Sequence, residues 1–193
     1  FAAHFSGWLL DWLRERHPAD MDLMAQMVKR GQVELFSSGD TEPVLAAIPQ
    51  RLFPVGRLDL ETEGALLMTN DGEVGNAILH PRFEVNKTYE AWVIGFPSAQ
   101  HLQQLERGIV LEGIKTHPAS LRILKRRTNQ TLVEIIIHEG KKRQVRKMFE
   151  AINHRVVHLR RTAYGQLRLG TLEPGKYRVL DRNDLKKIFS NKI

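Results

Sequence analysis

Residues 56–72 read Gly-Arg-Leu-Asp-Leu-Glu-Thr-Glu-Gly-Ala-Leu-Leu-Met-Thr-Asn-Asp-Gly, and no other run restricts the fold as much. One carboxylate, Asp59, stands beside Arg57 and between two glycines, Gly56 and Gly64. An apolar stretch, Ala65 to Met68, follows, and an Asn-Asp-Gly turn closes the run. The pattern predicts a short acidic loop, anchored by a buried strand and ended by a turn. A lone carboxylate on a rigid support can serve as a nucleophile or a general base. Spacing alone favours a surface turn acid.

Charge divides the chain. Residues 1–50 carry four Lys/Arg against seven Asp/Glu, a net of −3, whereas residues 51–193 carry 25 against 15, a net of +10. The basic character therefore belongs to the second part and points to a polyanionic partner, with solubility as the plain alternative. The chain has no cysteine, which excludes disulfides and thiolate metal sites. No apolar run approaches the roughly 20 residues that span a bilayer. No signal peptide is visible, and a cytoplasmic chain is expected, although the sequence starts at Phe1 rather than Met.

The texture changes with the charge. Residues 7–30 read as helical, with apolar clusters around Trp8 and Trp12 and around Met24, interrupted at Pro18. Gly31 to Phe36 reads as a short strand, and Val44 to Ile48 as a helical turn.

Beyond residue 51 the pattern is α+β: a mostly antiparallel mixed sheet with peripheral helices. A helix is expected over Glu73–Leu79, stopped by Pro81. A β-rich stretch runs from Glu84 to Ile94, with Val85, Tyr89, Ala91 and Val93 on one face. Ser98 suits the N-cap of a helix over Ala99–Arg107, and Gly108 its C-terminal stop. Short strands around Val110 and Leu121–Leu124 precede a β-branched strand over Leu132–His138. Further strands are expected at Val156–Arg161, Gln166–Leu169 and Tyr177–Leu180, and a last helix over Asp184–Phe189.

The helix after Gly140 carries the second chemical signal. Val145, Met148, Phe149 and Ile152 fall at i, i+3, i+4 and i+7 and form its buried face. Arg143, Arg146 and Lys147 project from other faces. Lys141 and Lys142 stand at its start, where cations oppose the helix dipole but suit a bound phosphate. A solvated basic face is the plain alternative. His80, His138, His154 and His158 are scattered without metal-ligand spacing and read as structural, so no metal is expected.

Three ordered motifs carry a resemblance. The run from Gly56 to Gly72, the triplet Lys87-Thr88-Tyr89, and the basic run Glu139 to Phe149 together resemble the RsuA-like family of ribosomal RNA pseudouridine synthases. Leu172-x-Pro174-Gly175-x-Tyr177-Arg178-x-Leu180 is similar to that family's last strand. The resemblance covers about residues 51–193. It implies an RNA uridine-to-pseudouridine isomerase that needs no cofactor, acts on ribosomal RNA and works as a monomer. It implies Asp59, Tyr89 and Arg146 as catalytic residues, with Arg146 paired to Asp59 and Tyr89 stacked on the target uracil. As substrate-binding residues it implies Arg57, Thr62, Gly64, Lys87, Lys141, Lys142, Arg143 and Lys147.

Residues 1–50 resemble something else. His4 to Leu10, Gly31 to Leu35 and Glu42 to Pro49 are similar to an internal stretch of a family 57 glycoside hydrolase. Glycosidases need two carboxylates about the scissile bond, and Glu34 alone carries no such chemistry. The expectation is a junction of two coding fragments near residue 50, with the synthase side lacking its opening Asn-Lys-Pro-x-Gly strand and turning over little. A divergent genuine extension is the alternative at residues 1–50. For the whole chain the rivals are an inactive RNA-binding remnant and a carbohydrate-active fragment.

Overall fold

The structure is a computed structural model and describes residues 2–6, 34–38 and 52–190. The chain divides into two compact units, Phe1–Phe53 and Pro54–Ile193. In the first, β1 (Ala2–Ser6) and β2 (Glu34–Ser38) pair in parallel, with Ala2 opposite Glu34. Glu34, the last residues of the expected Gly31–Phe36 strand, and the strand's extension to Ser38 are therefore seen. The helix expected over residues 7–30, its Trp8, Trp12 and Met24 clusters, and the turn over 44–48 lie outside the described residues.

The second unit is built on a six-stranded sheet in the order β12–β11–β6–β10–β9, with β4 also paired to β11. Its strands are β4 (Thr62–Gly64), β6 (Lys87–Ile94), β9 (Ser120–Arg127), β10 (Gln130–Ile137), β11 (Val156–Tyr164) and β12 (Leu167–Arg168). Every pair is antiparallel except β4–β11. Two small pairs stand apart: β3 (Phe53–Val55) with β5 (Leu67–Thr69), and β7 (Val110–Leu111) with β8 (Ile114–Lys115). The α+β architecture expected from the sequence is the one observed.

The helices begin where their caps dictate. In α1 (Gly72–Leu79) the Asp71 carboxylate accepts from the Glu73 and Val74 amides. In α2 (Ala99–Glu106) the Ser98 hydroxyl accepts from His101. In α4 (Arg182–Ile188) Asp181 and Asp184 form a reciprocal capping box. α3 (Gln144–Ala151) starts differently: its N-cap, Arg143, adopts a left-handed conformation with φ 54° and gives no side-chain cap. No helix among the described residues is long and apolar enough to cross a membrane.

Two apolar clusters form the core. The larger joins Ala91, Val93, Val133 and Ile135 of the sheet to Leu105 of α2 and to Val145, Met148 and Phe149 of α3. Complete burial of a side chain such as Phe149 contributes about 2–3 kcal/mol. The smaller cluster joins Val55, Ile78, Val85, Tyr164, Leu167 and Ile188. Strand β11 reaches from one to the other, with Val156 and Leu159 in the first and Tyr164 in the second. The stretch between them carries Arg161.

The expected strand over Tyr177–Leu180 does not form. A strand requires a neighbour to complete its backbone ladder, and none of the described residues supplies one here. Tyr177 is 79% exposed and Val179 86%. Turn bonds, Leu172 to Leu169 and Lys176 to Glu173, hold the preceding loop instead.

Candidate active site

Asp59 lies in the loop between β3 and β4 and is half-buried. The Thr62 amide donates to the Asp59 carbonyl at 2.8 Å and closes a tight turn on it. The loop then enters β4, which pairs with Leu159, Arg160 and Arg161 of β11. Gly64 makes this possible. Its φ is +113°, and a Cβ there would lie 2.2 Å from the Arg161 carbonyl oxygen. Only glycine fits that approach. The apolar run after Gly64 supplies β5 and the partly buried Ala65 and Leu67 of the smaller cluster.

Arg146 projects from α3 toward the same loop and is only 7% exposed. Its burial departs from the sequence reading, which placed Arg146 off the buried face. One guanidinium nitrogen, Nη1, donates to the Val156 carbonyl at 3.1 Å, and Nη2 donates to the Glu61 carbonyl. The carboxylate in ion-pair contact is that of Glu61, 3.5 Å away, while Asp59 acts on Arg146 at longer range. Burial pulls the Arg146 pKa down, Glu61 and Asp59 push it up, and Arg143 lowers it. Arg143 also approaches Glu61, at 3.7 Å.

Tyr89 is half-buried on the face of β6 that meets the larger cluster. It sits opposite Arg161 on β11, and Arg161 sits opposite Gly64 on β4. The three residues therefore form one row across three strands, about 10 Å from end to end at the usual strand spacing. The row carries the Asp59 loop to the tyrosine. Arg161 Nη1 is 3.4 Å from the Tyr89 hydroxyl.

The remaining expected site residues fall into two groups. Lys87 and Thr62 are buried. The Lys87 ammonium donates to the Val85 and His138 carbonyls, at 3.3 and 3.1 Å. Burial, and then the charge of Arg161, push it down to about 8. Thr62 Oγ1 is buried without a hydrogen-bond partner. Arg57, Lys141 and Lys142 are exposed. Lys141 pairs with Glu139 at 3.2 Å, and Lys147 with Glu112 at 2.6 Å. Glu139 also accepts from the His117 amide and from the Gln144 side chain, which fixes the turn before α3.

The four histidines read as structural have protein neighbours. His80 accepts from the Arg82 amide at 3.2 Å, and His158 lies 3.1 Å from Glu63. His154 Nδ1 is 2.8 Å from the Ile94 carbonyl, and its Nε2 is 3.1 Å from His101. The His138 ring packs edge-on against His117.

Sequence reasoning missed Glu61 and Arg161. The signal for Arg161 was present: it stands two residues after Leu159, which sets an arginine on the same core-facing row.

Residues 28–151 match the sequence profile of the RNA pseudouridylate synthase family. A ribosomal large subunit pseudouridine synthase B from Bacillus subtilis is 47% identical over 143 residues, 73% of this chain and 59% of that protein. A ribosomal small subunit pseudouridine synthase A from Vibrio cholerae is 39% identical over 143 residues, 72% of this chain and 60% of that protein. A crystal structure of a pseudouridylate synthase superposes with a TM-score of 0.67 at 34% identity, covering 72% of this chain and 60% of that one. The chain thus spans about three-fifths of the length of the relatives it matches. With the profile covering most of the chain, and the three motifs meeting in one folded unit, the chain belongs to the RNA pseudouridylate synthase family.

Proposed function

We propose that this chain converts a uridine of ribosomal RNA to pseudouridine, with Asp59 as the reacting carboxylate. The observation that carries the reading is the convergence of the Asp59 loop, Arg146 and Tyr89 on one seam of the fold. The names of the relatives from Bacillus subtilis and Vibrio cholerae support ribosomal RNA as the substrate.

The uridine is flipped from its stack, because its glycosidic bond is out of reach inside a helix. Asp59 acts on the nucleotide, either at C1′ of the ribose or at C6 of the uracil. The N1–C1′ bond breaks, the base turns, and a C5–C1′ bond forms. A proton leaves C5 and N1 gains one, so the isomerisation is balanced without oxidant or reductant. Arg146 holds the loop through the Glu61 carbonyl and places its positive charge near Asp59. Tyr89 offers its ring to the base and its hydroxyl to the proton transfer from C5. Arg57, Lys141, Lys142 and Arg143 hold the RNA backbone from the surface around the loop.

A monomeric, cytoplasmic enzyme is part of the proposal. The foreign origin of residues 1–50 also stays a proposal. The family match starts at residue 28, inside that segment, and sequencing the genomic DNA across codons 45–55 tests whether a join is present. Activity is tested by treating unmodified ribosomal RNA with the protein and separating the nucleosides. Pseudouridine in the digest supports the reading. RNA retention without pseudouridine, using both this chain and a version carrying the upstream segment of the Bacillus subtilis relative in place of residues 1–50, would identify a binding remnant instead.

A further inference from the structure

We infer that Arg161 is a positioning residue for the reaction: its side chain holds both ends of the Asp59 loop and orients the Tyr89 hydroxyl. Arg161 is 3% exposed, and no carboxylate among the described residues pairs with it. Its donors go instead to neutral groups. Nε donates to the Ala65 carbonyl at 2.7 Å. Nη1 lies 3.4 Å from both the Arg57 carbonyl and the Tyr89 hydroxyl. Nη2 is buried without a partner.

The targets explain the expense of burying this cation. Arg57 stands two residues before Asp59 and Ala65 six after, so one guanidinium spans the loop's entry and exit. The Arg161 main chain adds to the hold, accepting from the Ala65 amide at 2.8 Å. Arg146 grips the middle of the loop at Glu61. A planar guanidinium serves several acceptors at fixed angles, which an ammonium does not. The aromatic surroundings fit the same role: the guanidinium lies 4.7 Å from the Tyr164 ring centroid and 5.9 Å from that of Tyr89. Residues three apart in a regular strand face opposite ways. A bulge between Arg161 and Ala163 resets the register and returns Tyr164 to the face of Arg161. A buried cation serving only packing would have no need to bridge a loop and a tyrosine.

The test compares the wild-type chain with Arg161→Lys and Arg161→Gln. Hydrogen exchange is read at the Thr62 and Ala65 amides, which report the loop, and across β10, which reports the core. Arg161→Gln should speed loop exchange at least tenfold with β10 unchanged, and Arg161→Lys should fall between. If Arg161→Gln does not fold, Arg161→Lys carries the same comparison alone. The catalytic arm rests on the isomerase reading: single-turnover rates on ribosomal RNA should fall about 30-fold for Arg161→Gln while RNA affinity stays within threefold. Unchanged loop exchange, exchange raised equally in β10, or a rate loss matched by lost affinity would overturn the inference. Absence of turnover in both the wild-type chain and the version carrying the upstream segment of the Bacillus subtilis relative would count against the isomerase reading alone, because the exchange comparison needs no substrate.

Discussion

Two buried arginines and one buried lysine distinguish this site at the scale of single residues. Replacing Arg146 by Ala leaves the Glu61 and Val156 carbonyls without their donor, at a cost of about 1–3 kcal/mol. Urea denaturation should show that loss, and turnover should fall further than stability explains, because Asp59 loses its nearby cation. Tyr89→Phe keeps the ring and should keep RNA affinity while abolishing turnover, which a binding isotherm and a rate assay on one preparation would show. Lys87 makes stability depend on pH. Its folded pKa, about 8, lies below its ordinary value of 10.5. Between those values the unfolded chain holds the proton and the folded chain does not, so stability rises with pH there. The cost of burying the ammonium is full below pH 8 and gone above 10.5, on the order of 3 kcal/mol in total. Urea melts at pH 7.5 and 9.5 should show wild type gaining on Lys87→Met as pH rises; parallel curves would remove this account. Asp59 and Tyr89 were legible in the sequence because the motifs flank them. Glu61's contact with Arg146 was not, because residues 85 positions apart meet only through the fold.

Among the secondary-structure elements, the β4–β11 pairing is the one that holds the Asp59 loop to the sheet. Gly64→Ala places a Cβ 2.2 Å from a backbone oxygen at a φ of +113°. Backbone cannot yield as a flexible side chain does, so the substitution should cost about 3 kcal/mol or more and displace the Asp59 loop. Gly113→Ala is the matched control: φ is +82° but the space around it is open, and the loss should be about 1 kcal/mol. Thermal melts of the two variants, with turnover measured below both midpoints, check the contrast. A helix cap and a strand were readable from the sequence, as Ser98 and the strand expected over Leu132–His138 and found at Gln130–Ile137 show. The bulges of β11 were not, because an extra residue in a strand leaves no periodic mark. The Tyr177–Leu180 stretch fails for the complementary reason. Its residues favour a strand, but pairing is decided by neighbours and not by propensity.

For the whole molecule, charge governs the proposed binding to RNA. The net of +10 in residues 51–193 should make affinity fall steeply with salt. Replacing Lys141 and Lys142 together by Ala should weaken binding broadly, leave the choice of uridine unchanged and reduce the slope of log affinity against log salt by about 1.5. Filter binding from low to moderate salt measures this, and a salt-independent affinity would remove the electrostatic argument. The central claim is chemical: Asp59 carries the isomerisation. It is tested most directly with ribosomal RNA tritiated at C5 of uridine, because pseudouridine formation sends that hydrogen to water. The assay uses this chain and the version with the upstream segment of the Bacillus subtilis relative in place of residues 1–50. Asp59→Asn keeps the shape of the side chain and loses its charge. Tritium should be released by the extended version with Asp59 in place and not by its Asp59→Asn counterpart, with RNA affinity equal in the two; release by the Asp59→Asn protein at the unmutated rate would contradict the account.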